Sequence, residues 1–153
     1  MAAAKSVYIS GPLTELAPCE QERVKRLYVR MADVAERVLG VRGFVPHEHF
    51  DPIANAGATP AEVDAVERKQ VCECTSCLVV LAEAPSWGGG IEVEMAHRSG
   101  VPVLVFCNRE KLEQRRISRL LRGNPAVIGV YPFNEDEELL DTLAVQLAKL
   151  SRR

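Results

Sequence analysis

Leu78-Val79-Val80-Leu81-Ala82, then Pro85-Ser86-Trp87-Gly88-Gly89-Gly90-Ile91-Glu92-Val93-Glu94-Met95-Ala96, then Val101 to Phe106 follow one another along the chain and decide its fold. The first and last are apolar runs of strand length. Between them, three consecutive glycines lead into a stretch of helical character that ends at Ser99-Gly100. Strand, glycine turn, helix and strand make a parallel unit whose strands are buried on both faces. Glycines at such a turn let a ligand approach the backbone closely and leave N–H groups free to point at it. Glu92 falls in the first helical turn of this reading, where the helix dipole is expected to keep it ionised. An acid fixed at the mouth of a parallel sheet is a candidate nucleophile.

Outward from this unit the alternation continues. Ser6 to Ser10 reads as a strand stopped by Gly11-Pro12. Glu20 to Leu39 carries Val24, Leu27, Tyr28, Met31, Val34, Ala35 and Val38 at helical spacing, with Gly40 as the stop signal. Gly43-Phe44-Val45 reads as a second strand ended by Pro46, and Pro46 to Thr59 as a loop over one edge of a site. Thr59 caps a helix that starts with Pro60 and runs towards Cys74. Ile117 to Leu121 is a short helix and Ala126 to Val130 the last strand. Asn134 is placed to cap a final helix through Leu150, with Leu139, Leu140, Leu143, Leu147 and Leu150 on its buried face. The pattern predicts one α/β domain over residues 1–153. Its architecture is a three-layer, doubly wound, five-stranded parallel sheet in the flavodoxin-like (Rossmann-like) order 2-1-3-4-5. Ligands of such sheets sit beyond the carboxyl ends of the strands, which brings Ser10 to Thr14 and Ser86 to Glu92 together.

Composition narrows the function classes. With 153 residues, the chain suffices for one full core and is short for two. A formal charge of −2 supplies no basic field for binding nucleic acid polymers. No apolar run approaches the roughly 20 residues of a membrane span. The start, Met1 to Lys5, lacks the apolar segment of a signal peptide, so a cytoplasmic setting is expected. Cys72, Cys74 and Cys77 invite a metal reading, but the usual paired spacing is missing elsewhere, and packing is the better expectation. No metal and no cofactor is implied.

Tyr8-Ile9-Ser10-Gly11-Pro12, the Gly88-x-Gly90-x-Glu92-x-x-x-Ala96 pattern and Gly100-Val101-Pro102-Val103 together resemble the nucleoside 2-deoxyribosyltransferase family. The nearest branch in pattern is the 2'-deoxynucleoside 5'-phosphate N-hydrolases, and the likeness runs from Val7 to about Val130. The resemblance implies cleavage of a nucleoside or nucleotide N-glycosidic bond, or deoxyribosyl transfer, with Glu92 as nucleophile and Tyr8 as the phenol that steadies it. It places Gly11, Thr14, Ser86, Gly88 and Gly90 around the sugar or its 5'-phosphate. It also implies a homodimer or higher homo-oligomer in which Ser118, within Ile117 to Gly123, reaches the neighbouring site. Lys69 and Gln70 stand where the family carries its leaving-group aspartate. Asp64, Glu67, His47 and His49 are the alternative acids, and His47 is the histidine assigned to the substrate. The alternative is a nucleotide-binding or sensing module of the same fold with weak chemistry. Ser86 serves equally well as a helix cap, and Tyr8 as a packed strand residue.

Overall fold

The computed structural model describes residues 3–153. Four parallel strands form one sheet in the order β1-β2-β3-β4: Ser6–Ser10, Thr75–Leu81, Val103–Asn108 and Val127–Phe133. The helices are α1 (Pro18–Leu39), α2 (His47–Phe50), α3 (Pro60–Glu73), α4 (Trp87–Arg98), α5 (Arg109–Glu113), α6 (Arg119–Arg122) and α7 (Asp136–Ser151).

Alternation along the strands builds two cores. Cys77, Val79 and Leu81 of β2 and Leu104 and Phe106 of β3 point to one face, where α1 and α7 cover them. Leu78 and Val80, with Val103 and Val105, point to the other face and meet Val71 of α3 and Val93, Met95 and Ala96 of α4. The result is the expected three-layer, Rossmann-like arrangement.

The sheet departs from the expected one in its strand count and order. The second of the five expected strands does not form, so the order 2-1-3-4-5 is replaced by four strands in sequence order. Phe44 alone bridges Tyr8, accepting from the Ile9 N–H at 2.9 Å and donating to the Val7 carbonyl at 2.7 Å. Pro46 has no N–H to give, and the chain turns at once into α2, so the pairing stops after one residue. Phe44 still sits on the outer edge of β1, so the chain crosses back over β1 before it makes β2.

Local signals acted as expected at several ends. Gly40 closes α1 in the left-handed conformation, with φ 74°. Thr59 and Glu62 form a capping box at α3. Asn134 does not cap α7; Glu135 holds that position, and the Asn134 N–H donates to the Glu138 carboxylate at 2.9 Å. Pro132 lies in β4, which is tolerated because β4 is an edge strand.

Candidate active site

The three glycines are not a turn. They belong to α4, which starts at Trp87 and is capped by Ser86, whose Oγ accepts from the Gly89 N–H at 3.1 Å. Trp87 and Gly88 then carry the first-turn N–H groups that have no acceptor within the helix. A Cβ at Gly88 or at Gly90 would meet nothing within 4 Å, so packing does not require glycine at either position. Gly11 differs, because a Cβ there would come within 2.3 Å of the Tyr28 hydroxyl, which donates to the Pro12 carbonyl at 2.7 Å.

The early start of α4 moves Glu92 into the second helical turn, beyond the reach of the terminal dipole. Its electrostatics are accordingly the reverse of the sequence expectation. Glu92 is 8% exposed, and burial pushes its carboxyl up to about 7, opposed by hydrogen bonds from Ser10 and Tyr8 and helped by the charge of Glu67. The Tyr8 hydroxyl donates to Oε1 at 2.6 Å, and the Ser10 hydroxyl donates to Oε2. Tyr8 is itself fully buried, and desolvation raises its phenol well above the ordinary value. Tyr8 and Ser10 are two residues apart on β1 and therefore share the face that α4 covers.

Two cavities flank the first turns of α4. One, of about 510 Å³, is lined by Glu92, Gly88, Thr14, Glu67 and Asp64, with Pro52, Ala58, Pro60 and Val63 among its apolar walls. Burial lifts the Glu67 carboxyl to about 6, with the charge of Asp64 adding to it. Asp64 is paired with Arg68 at 2.8 Å, which holds its own carboxyl low. The walls at Pro52 and Ala58 are anchored by Asp51, which pairs with Lys25 and accepts from the Ile53 and Ala54 N–H groups at 2.8 and 2.9 Å.

The second cavity, of about 990 Å³, lies between α4 and the α5–α6 segment. Gly11, Ser86, Gly90 and Ser118 line it, beside the exposed Trp87 and Leu120. Ser118 caps α6, accepting from the Leu121 N–H at 3.3 Å. The structure thus brings Glu92, Tyr8, Thr14 and Gly88 together and puts Gly11, Ser86, Gly90 and Ser118 on the opposite flank of α4. His47 lines neither cavity. It lies in α2 rather than on an extended loop, packs 6.1 Å from the Tyr28 ring, and has a buried Nδ1 without a hydrogen-bond partner. His49 stacks on Phe44 at 4.7 Å. Among the described residues, no group of three or more histidines, cysteines or carboxylates is placed to hold a metal ion.

No protein-family model matches this chain, and no curated protein does. Solved structures do match. BlsM, known from a solution structure, superposes with a TM-score of 0.71 at 17% identity, over 100% of this chain and 95% of that one. The CMP N-glycosidase BcmB of Clostridium botulinum gives 0.62 at 20% identity, over 93% of this chain and 99% of that one. A conserved protein of Enterococcus faecalis V583 gives 0.59 at 16% identity, over 94% and 99%. This chain shares their fold.

Ser10 and Glu67 are the residues that carry more of the site than the sequence assigned to them. Ser10 lies in the Tyr8 to Pro12 motif, and its period-two relation to Tyr8 is the signal in the sequence that could have found it. Glu67 is one of four alternative acids; Asp64 lines the same cavity but is paired with Arg68, and it is burial without an ion-pair partner that singles out Glu67.

Proposed function

We propose that the protein cleaves the N-glycosidic bond of a nucleoside or nucleoside 5'-monophosphate, with Glu92 as the nucleophile. The observation that carries this reading is a buried carboxylate, held by two hydroxyls, sharing a cavity with a second carboxylate, Glu67, that burial favours in its protonated form. The fold shared with the CMP N-glycosidase BcmB supports it.

Glu92 attacks C1' as the bond to the base breaks, through a transition state with oxocarbenium character, and the sugar becomes an ester of the carboxylate. Glu67 gives its proton to the departing base, filling the place left by Lys69 and Gln70. The ionised Glu67 then takes a proton from water, which opens the ester and restores both carboxyls. Transfer to a second base in place of water would make the enzyme a deoxyribosyltransferase. The Gly88 N–H, with Thr14, suits the sugar and its 5'-phosphate, since a helix N-terminus favours an anion. Gly11, Ser86, Gly90 and Ser118 face the larger cavity on the other flank of α4, away from Glu92, so Ser118 would reach the phosphate only from a neighbouring subunit of a homodimer.

The test is incubation with a panel of nucleosides and 5'-monophosphates, with free base followed by chromatography. Glu92→Ala is expected to abolish release. Glu67→Gln should lower the rate by about 10² to 10⁴, less for substrates whose base leaves without protonation. Base release that survives Glu92→Ala would overturn the nucleophile. Tight monophosphate binding without release from any substrate would favour a sensing module instead.

A further inference from the structure

Glu92 is gripped at both oxygens, and both donors are neutral. Among the described residues, no lysine, arginine or histidine forms an ion pair with it. Ser10 is 1% exposed, and its hydroxyl lies against the first turn of α4, where a Cβ at Gly89 would stand 3.5 Å from Oγ.

We propose that Ser10 is a positioning residue for Glu92, the second of two neutral donors that together favour the charged carboxylate over its neutral form and fix its plane towards the cavity. This rests on the reading of Glu92 as nucleophile. The last torsion of a glutamate is broad and roughly two-fold. Tyr8 alone would hold one oxygen and leave the plane free to swing. A donor on each oxygen removes that freedom and favours the charged form against burial. A cation in the same place would neutralise the charge that has to attack.

The titratable groups facing Glu92 are Tyr8 from β1, Glu67 from α3 with Asp64 beyond it, and Tyr28 from α1. Glu67 and burial drive Glu92 towards its protonated form, and Tyr8 and Ser10 oppose them. Loss of Ser10 leaves Tyr8 to oppose them alone.

Full-length protein carrying glutamate labelled with ¹³C at the side-chain carboxyl reports the ionisation of Glu92 by NMR, with Glu92→Gln identifying its signal. Ser10→Ala is expected to raise the Glu92 midpoint by about one pH unit. The acid limb of kcat/KM should move with it, with kcat reduced and KM held. Ser10→Thr keeps the hydroxyl and should return the midpoint towards the original. An unmoved midpoint in an active Ser10→Ala enzyme overturns the role of Ser10 alone. A lower melting temperature with an unmoved midpoint makes Ser10 a packing residue and overturns it equally. A moved midpoint in a protein that cleaves no nucleotide overturns the nucleophile, and the positioning role falls with it.

Discussion

At the scale of residues, the mechanism we propose gives Glu92 and Glu67, which share one cavity, opposite tasks. Attack needs Glu92 ionised, favoured above about pH 7, and protonation of the base needs Glu67 protonated, favoured below about pH 6. The competent form is therefore a minority at any pH, and kcat/KM should be bell-shaped, with its maximum between those two values. The limbs belong to the coupled pair rather than to either residue. A pH–rate profile checks this, and Glu67→Gln should remove the basic limb. Stability carries the same signature with a definite sign. The folded midpoint of Glu92 is raised from 4.5 to about 7, so its contribution is fully present below 4.5 and is lost as the pH climbs through about 7. Glu92→Gln should therefore be more stable than the natural protein at about pH 8, on the order of 2 kcal/mol, with the two converging near pH 4.5. The amide can still accept from Tyr8 and donate to Ser10, so the substitution leaves neither hydroxyl without a partner. Melting curves across that pH range decide the point.

At the scale of elements, α4 carries the main lesson. Glycine is a poor helix former, at about 1 kcal/mol worse than alanine, and on that basis Gly88-Gly89-Gly90 reads as a turn. The Ser86 cap overrode the propensity, and the helix began at Trp87. Nothing near Gly88 or Gly90 demands the missing side chain, so the glycines weaken α4 without a packing return. Gly88→Ala should then stabilise the protein by roughly 0.5–1 kcal/mol while raising KM, because its methyl group enters the cavity that holds Glu92. Thermal unfolding read alongside substrate titration separates the two effects. The second expected strand failed for a comparable reason. Gly43-Phe44-Val45 has strand character, but Pro46 and α2 follow too closely for a ladder to extend. The segment over the site was legible as covering, whereas the Lys25–Asp51 pair that anchors it was not, because Lys25 belongs to a helix read only for its apolar face.

At the scale of the whole molecule, the homodimer we propose would set a second copy of the chain against the larger cavity and the exposed Trp87 and Leu120, with Ser118 serving the neighbouring site. Glu92→Ala and Ser118→Ala chains, each weak alone, should then regain activity when mixed and allowed to exchange, since one site of the mixed dimer has both residues intact. Mixing without recovery would confine Ser118 to its own subunit. The amino-acid sequence by itself determined the alternation of strands and helices, the two-faced burial of β2 and β3, the ends at Gly40 and Thr59, and the place of Glu92 on the helix that follows β2. These follow from periodicities of 2 and 3.6 and from short-range caps, which are complete within a few residues of chain. Only the tertiary structure decided that Ser10, 82 residues away, joins the expected Tyr8 in holding Glu92, and that Glu67 rather than Asp64 or a histidine faces it unpaired. It also decided the charge state. A dipole acts along one helix and can be read in sequence, but desolvation depends on everything packed around the carboxylate, and at Glu92 burial prevailed.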